Sequence, residues 1–365
     1  MNDKTPIIIP AYEPDDRLLL LLNDLIKADQ RKIIIIDDGS GEKYSSLFAK
    51  VKEAISPDGI FISYDENKGK GGALKTAFRY VLENMPEVTG VVTADSDGQH
   101  TVECIHSVEK KLLEAPDSLI MGVRNFDKEG IPWKSEFGNK LTKKVLKFVS
   151  GISVSDTQTG LRGIPVAFLH DCLEIKQNRF EYEMEMLLRT SGKVKIVEVP
   201  IATVYDSKEN HQTHFNPVLD SLKVYKVLCR RFFIFIFSSF SSAILDLTLF
   251  TLLCFLLKDK IPELYIFFST VIARVISACY NYALNYTKVF HSRARVLSSG
   301  SKYALLAIFL MLSSALLVTI GKTILPFMHE TLIKIAVDVV LFFVSYKVQQ
   351  RFVYQSHNQK SQRQK

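Results

Sequence analysis

The chain is short of the residues that build stapled scaffolds. Its 365 residues include five cysteines (Cys104, Cys172, Cys229, Cys254 and Cys279), with no Cys-x-x-Cys pair and no zinc-ligand spacing. The expectation is reduced thiols that act as small apolar side chains, not a disulfide framework or a zinc module. No apolar run long enough to span a bilayer occurs before Arg231. Met1-Asn2-Asp3-Lys4 lacks the basic n-region and apolar h-region of a secretion signal, so the first part of the chain is expected in the cytoplasm. The net charge of +7 is modest, and the basic residues gather just before and between later apolar stretches. That distribution suits a membrane surface and argues against a nucleic-acid partner.

What is present divides the chain in two. Up to Arg231 the apolar runs are short and the charges interspersed. Pro6-Ile7-Ile8-Ile9-Pro10, Lys32-Ile33-Ile34-Ile35-Ile36, Ile60-Phe61-Ile62-Ser63-Tyr64, Ser118-Leu119-Ile120-Met121-Gly122 and Lys195 to Val199 read as strands. Helical stretches separate most of them, among them Arg17 to Ala28, Leu74 to Asn84, Val102 to Leu113, Phe137 to Phe148 and one opening at Phe180-Glu181-Tyr182-Glu183. Strands apolar on both faces and alternating with helices predict a parallel sheet covered on both sides. Ligands of such sheets bind beyond the carboxyl ends of the strands.

The stretch Thr93-Ala94-Asp95-Ser96-Asp97-Gly98-Gln99-His100 follows the apolar run Gly90-Val91-Val92 and so leaves a strand end. Asp95 and Asp97, one residue apart, point the same way if the strand geometry persists. Two carboxylates and the amide oxygen of Gln99 suit a hard cation, Mg²⁺ or Mn²⁺, with phosphate oxygens completing its shell. Taken alone, an Asp-x-Asp is more often an ordinary solvated turn. The glycines and lysines of Asn67-Lys68-Gly69-Lys70-Gly71-Gly72 before a helix suit a phosphate, yet their spacing fits neither the Walker loop nor the dinucleotide fingerprint.

In order along the chain, Ile9-Pro10-Ala11-Tyr12-Glu13, Asp37-Asp38-Gly39-Ser40, Asn67-Lys68-Gly69-Lys70-Gly71, Asp95-Ser96-Asp97-Gly98-Gln99-His100 and Asp156-Thr157-Gln158-Thr159-Gly160 resemble glycosyltransferase family 2. The resemblance is to its polyprenyl-phosphate glycosyltransferases and covers about Pro6 to Val204. It implies an α/β GT-A fold, Rossmann-like. It places Pro10, Ala11, Tyr12, Glu13, Asp37, Asp38, Lys70, Asp95 and Ser96 around the nucleotide sugar, and Asp95, Asp97 and Gln99 on the metal. It further implies that Asp97, Arg124, Asp156 and Gln158 serve the transfer, Arg124 facing the acceptor phosphate and Asp156 and Gln158 the sugar. The Gln-x-x-Arg-Trp motif of the processive polysaccharide synthases is absent, so one sugar per turnover is expected.

Beyond Arg231, four apolar segments, about Phe232 to Leu257, Leu264 to Val289, Tyr303 to Leu325 and Leu332 to Val353, each reach the roughly 20 residues a span requires. An amphipathic, basic stretch from Pro217 to Arg231 precedes them and reads as an interfacial helix. The cationic link carrying Lys288, His291, Arg293, Arg295 and Lys302, with the cationic tail, puts both termini in the cytoplasm. Tyr282 to Phe290 and Tyr346 to Tyr354 echo each other at the ends of the second and fourth segments. Asp246, Arg274, Lys334 and Asp338 lie inside the spans, where charge is costly, and are expected to pair. This region resembles the GtrA-like family of four-helix membrane proteins.

The expected organisation is therefore a GT-A domain at 1–215, an interfacial helix at 216–231, an all-α membrane domain at 232–355 and a basic tail at 356–365. The expected activity is inverting transfer of one sugar from a nucleotide sugar, UDP-linked in preference to GDP-linked, to undecaprenyl phosphate at a bacterial inner membrane. The membrane domain would anchor the enzyme or flip its product. The alternatives are another lipid acceptor such as diacylglycerol, or a polyprenyl-sugar transporter whose first domain only binds. Contacts with membrane lipids are expected, and a homo-oligomer is left open.

Overall fold

A computed structural model of the chain describes residues 5–28, 32–124, 133–202, 219–290, 292 and 294–354. The expected polar loop 206–214, the tail 356–365, and Asn125, Phe126, Pro217, His291 and Arg293 lie outside them, as do the side chains of Trp133 and Lys134. The described chain forms two compact units, Met1–Leu228 and Cys229–Lys365.

The first unit is built on a seven-stranded sheet. Its strands are β1 (Ile7–Ala11), β2 (Ile33–Asp37), β3 (Ile60–Ser63), β4 (Gly90–Thr93), β5 (Ser118–Arg124), β6 (Arg162–Pro165) and β7 (Lys195–Ile201), in the order β3-β2-β1-β4-β6-β5-β7. Every residue of β1 and β2 is buried, as expected of strands covered on both faces. Helices α1 (Arg17–Ala28), α2 (Ser45–Ile55), α3 (Lys70–Asn84) and α4 (Val102–Glu114) connect the strands. Leu18, Leu22 and Leu25 of α1, Phe48 and Val51 of α2, and Ile105 and Val108 of α4 join Ile7, Ile9 and Ile35 in one core.

The expected all-parallel sheet is corrected in one place. β6 runs antiparallel to both β4 and β5, while the other pairs are parallel. Its four residues, Arg-Gly-Ile-Pro, carry neither an apolar run nor clean alternation, so no period marks them as a strand. A second correction concerns α3, which starts at Lys70 and not at Leu74. Gly71 and Gly72 therefore sit in its first turn instead of a loop. A Cβ at Gly71 would lie 2.5 Å from Tyr182 Cβ, so the glycine admits close helix contact.

Registers then fix the site. Ala11 pairs with Asp37 and Ile8 with Thr93, so β1, β2 and β4 end along one edge of the sheet. Strand order reverses at β1, which is flanked by β2 and β4. That reversal opens the crevice in which α/β sheets bind ligands. Beyond β5, α5 (Trp133–Ser150) and α6 (Val166–Leu173) precede α7 (Glu181–Arg189).

Helix α8 (Leu219–Leu257) begins in the first unit and ends in the second, where α9 (Tyr265–Leu284), α10 (Val296–Ile324) and α11 (Glu330–Val348) follow. The expected interfacial helix and first span belong to the single helix α8, which contains no glycine or proline to interrupt it. Among the described residues, three helices are long and apolar enough to cross a membrane: Leu219–Leu257, Tyr265–Val289 and Val296–Ile324. The expected fourth span falls on α11, which is not among those three; α11 continues as the π-helix Gln349–Val353, just as α9 continues as the π-helix Asn285–Val289. The sequence echo thus becomes a structural one. The equivalent residues Asn285 and Gln349 are both buried and bond to each other (Asn285 Nδ2 to Gln349 Oε1, 3.1 Å), and the equivalent Phe290 and Tyr354 stack at 4.9 Å.

The four charges expected within the spans pair two by two. Arg274 meets Asp246 at 3.2 Å, and Lys334 meets Asp338 at 2.8 Å. Asn281 accepts from Asn285 and from the Tyr303 hydroxyl, and its own amide donates to the Ser238 carbonyl, linking α8, α9 and α10. Asn285→Leu removes the donor shared by Asn281 and Gln349 and is expected to lower stability by about 1 kcal/mol, typical of interhelical hydrogen bonds in membranes. Thermal unfolding in detergent checks this; an unchanged midpoint would show that the bond contributes nothing.

Candidate active site

The common edge of β1, β2 and β4 opens into a cleft of about 480 Å³. Pro10, Ala11, Tyr12 and Glu13 leave β1 into it, Asp38 leaves β2, and Asp95, Ser96 and Asp97 leave β4, while Lys70 enters from the start of α3. Nine residues expected at the nucleotide or metal thus share one wall. Glu13 holds φ 47°, uncommon for a side-chain-bearing residue, and its N–H donates to Ser40 Oγ at 2.8 Å. This bond ties the β1 exit to the β2 exit.

Five expected residues lie away from that wall. Asp37, next to Asp38, points the opposite way as strand alternation requires, and accepts from the Ser40 N–H at 3.0 Å and the Ser63 hydroxyl at 2.9 Å. It pins strand ends. Gln99 lines an adjoining hollow with Arg17, Asp97 and His100. Arg124 and Asp156 form a two-pronged ion pair, Nε to Oδ2 at 2.7 Å and Nη2 to Oδ1 at 3.1 Å, with the aspartate fully buried. Asp156 also accepts from the Gln158 N–H, while the Gln158 side chain is exposed. Asp156 therefore orients Arg124 and is spent on that contact.

Sequence reasoning missed four contributors. Arg17, Arg179 and Phe180 line the cleft, and Glu183 approaches Lys70 from α7. Arg179 and Phe180 sit on the connector between α6 and α7, which no motif marks. Only Glu183 had a signal: an acid beside Tyr182 and one turn before Leu187, on a helix whose residues from Tyr182 to Leu188 are all buried.

Charge is concentrated here. Lys70 Nζ lies 2.6 Å from Asp95 Oδ1 and 3.2 Å from Glu183 Oε1, and His100 Nε2 lies 3.7 Å from Asp95 Oδ2. Burial by itself would lower the Lys70 pKa, but Asp95 and Glu183 outweigh it and hold the ammonium charged. Burial would likewise raise Asp95, yet Lys70 and His100 keep its carboxyl well below the usual range. Asp97 accepts the Gln99 N–H at 3.0 Å, but burial and then the Asp95 charge outweigh that bond and push its pKa up. Burial also raises Asp38, against N–H donors from Lys68 and Gly69 and the Tyr64 hydroxyl. Asp95 and Asp97 offer hard oxygen donors to an anionic site that gains from another cation, so they fit a divalent ion. Among the described residues no three His, Cys, Asp or Glu side chains form a complete metal cage. A cation there would need oxygens from a ligand, as Mg²⁺ does at phosphate sites.

Comparison with known proteins matches the two parts of the chain to two families. The family described as "Glycosyl transferase family 2" matches residues 7–173, and "GtrA/DPMS, transmembrane domain" matches residues 234–354. The UDP-N-acetylglucosamine--dolichyl-phosphate N-acetylglucosaminyltransferase of Methanococcus voltae is 30% identical, the match covering 54% of this chain and 85% of that protein. An uncharacterised protein of Methanocaldococcus jannaschii is 28% identical, covering 64% of this chain and 94% of its own length. The undecaprenyl-phosphate 4-deoxy-4-formamido-L-arabinose transferase of Klebsiella pneumoniae strain 342 is 26% identical, over 54% of this chain and 59% of that protein.

Two outcomes follow from the packing. A Cβ at Gly160 would clash with Asp95 Oδ2 and lie 2.7 Å from Lys70 Nζ. Gly160→Ala should displace the ion pair and cut turnover about tenfold or more while unfolding near the wild-type temperature; wild-type turnover would show that the pair tolerates displacement. Asp156→Asn breaks a buried pair and should cost about 3 kcal/mol, read as a fall in unfolding midpoint.

Proposed function

The chain belongs to glycosyl transferase family 2, and from that membership we propose that it moves one sugar from a nucleotide sugar to a polyprenyl phosphate. It is a glycosyltransferase and a membrane protein. The observation that carries the finer reading is the cleft in which Asp38, Lys70, Asp95 and Asp97 converge at the switch point of the sheet. It suits a nucleoside diphosphate, with Pro10 to Glu13 and Asp38 around the nucleoside and Lys70 and Arg179 toward the phosphates. Relatives that act on dolichyl and undecaprenyl phosphates support the acceptor class, and undecaprenyl phosphate is our choice within it. The UDP-dependent relative favours UDP over GDP as the donor nucleotide.

The chemistry follows from these groups. An oxygen of the lipid phosphate attacks C1 of the sugar, the bond from C1 to the nucleoside diphosphate breaks, and attack from the opposite face inverts the anomeric centre. The phosphate is already anionic near neutral pH, so no strong base is required. Arg124, fixed by Asp156 through Nε and Nη2, is our candidate to hold it through the charge of its guanidinium. Lys70 meets the charge that grows on the leaving diphosphate. Mg²⁺ or Mn²⁺, when bound by Asp95 and Asp97 with Gln99 nearby, supplies further charge neutralisation.

For the second unit we propose anchoring at the inner leaflet, with the catalytic unit and both termini cytoplasmic, and movement of the product across the membrane. One observation favours movement. A cleft within this unit has Asn281, Tyr303 and Gln349 toward one end and Ser314, Lys334 and Asp338 toward the other, with Leu306 and Leu310 between. Tyr303 and Ser314 are eleven residues apart on α10, about 16 Å along a helix. Polar stations separated by an apolar wall suit a lipid with a hydroxyl-rich head.

The test is transfer by purified full-length protein in detergent with undecaprenyl phosphate, Mn²⁺ and radiolabelled UDP- and GDP-sugars. A chloroform-soluble product from one donor, lost with EDTA and reduced at least 100-fold in Asp97→Ala, is expected. No lipid product from any donor would overturn the reading.

A further inference from the structure

We propose that Lys70 is a resident counter-ion that keeps the place of a divalent cation at Asp95 and is drawn to Glu183 when that cation arrives, which makes Glu183 a positioning residue. The inference rests on the nucleotide-sugar reading above and deepens it.

Two carboxylates, Asp95 and Glu183, hold one ammonium, and Asp97 lies close enough to feel its charge. Lys70 Nζ is 2.6 Å from Asp95 and 3.2 Å from Glu183, so it already touches both anchors. Glu183 does not line the cleft, and its side chain is 11% exposed. A carboxylate so buried costs free energy unless a cation answers it, and Lys70 is its one ion-pair partner among the described residues. The backbones around the pair are fixed. The Gly72 N–H donates to the Asn178 carbonyl at 2.9 Å, Gly71 packs on the fully buried Tyr182, and Arg162 Nη1 donates to the Glu183 carbonyl at 3.0 Å. Gly160 lies against both Asp95 and the ammonium, with its carbonyl held by the Thr93 hydroxyl at 2.8 Å. The freedom left is rotation of the Lys70 side chain between its two anchors. Without a cation, the lysine neutralises Asp95 and so offsets part of its repulsion with Asp97. With one, Lys70 moves off Asp95 onto Glu183 and stays beside the diphosphate it must meet.

The test measures Mn²⁺ binding by electron paramagnetic resonance on the full chain in detergent, with UDP and without acceptor. Lys70→Met removes the competitor and should tighten Mn²⁺ binding, roughly tenfold. Glu183→Gln leaves Lys70 on Asp95 and should weaken it by a similar factor, with Glu183→Asp restoring most of the affinity. The double variant decides. If Glu183 acts through Lys70, adding Glu183→Gln to Lys70→Met changes nothing further. An equal weakening in both backgrounds would mean that Glu183 attracts the metal directly, and would overturn the proposal, as would weaker Mn²⁺ binding in Lys70→Met. Should the Glu183→Gln protein fail to fold, Lys70→Arg gives the same decision: its longer fork bridges both carboxylates permanently and should weaken Mn²⁺ binding, and an unchanged affinity would overturn the proposal. Wild-type protein that forms lipid product but binds no Mn²⁺ would end this inference and leave the transfer reading standing. Normal Mn²⁺ binding with no lipid product would do the reverse.

Discussion

The cleft depends on one constraint: several carboxylates must stand at the edge of an apolar sheet without driving one another apart. Asp38, Asp95 and Asp97 all leave buried strands, and each is partly or largely withdrawn from water. Each is handled differently. Backbone and side-chain donors answer Asp38, an ammonium answers Asp95, and Asp97 is left with a raised pKa. Asp97 thus differs from its neighbours in having a single backbone donor and no ion pair among the described residues. The helices follow from this arrangement: α3 must begin at Lys70 to deliver the ammonium, and α7 must press against Gly71 to bring Glu183 within reach.

Much of this was legible in the sequence because it follows from local rules. Ile7 to Ile9 and Ile33 to Ile36 announce strands buried on both faces, and polar residues directly after them announce the ligand edge. What was hidden depends on contacts between distant segments. Nothing in Arg162-Gly163-Ile164-Pro165 marks a strand; β4 and β5 impose that role by offering it edges on both sides. Asp37 and Asp38 look alike as a pair, and only the alternation of the strand sends one inward and the other to the cleft. Asp156 reads as a sugar contact by resemblance, whereas its burial under Arg124 commits it to holding that guanidinium.

In the second unit the legible feature was the echo, and the hidden one was its form. A π turn widens the helix by one residue and frees backbone groups from the regular ladder, and such turns often mark functional sites. Here both copies fall at the echoed segments, with Asn285 and Gln349 bonded between them. Two matched irregularities joined by a buried amide bond lock the ends of α9 and α11 in one register, which Leu or Val at those positions would not specify.

The two units solve a shared problem in different solvents. In the first, buried charge is kept at the rim, where a ligand can complete it. In the second, Arg274 with Asp246 and Lys334 with Asp338 close on themselves, which is the cheaper arrangement where lipid leaves no water to share the field. Lys334 and Asp338 nevertheless line the cleft of that unit along with Ser314. Lys334 and Asp338 lie one turn apart on α11, and the Ser314 hydroxyl of α10 donates to Asp338 at 2.7 Å, so the pair answers its own charge and ties two helices together at the cleft.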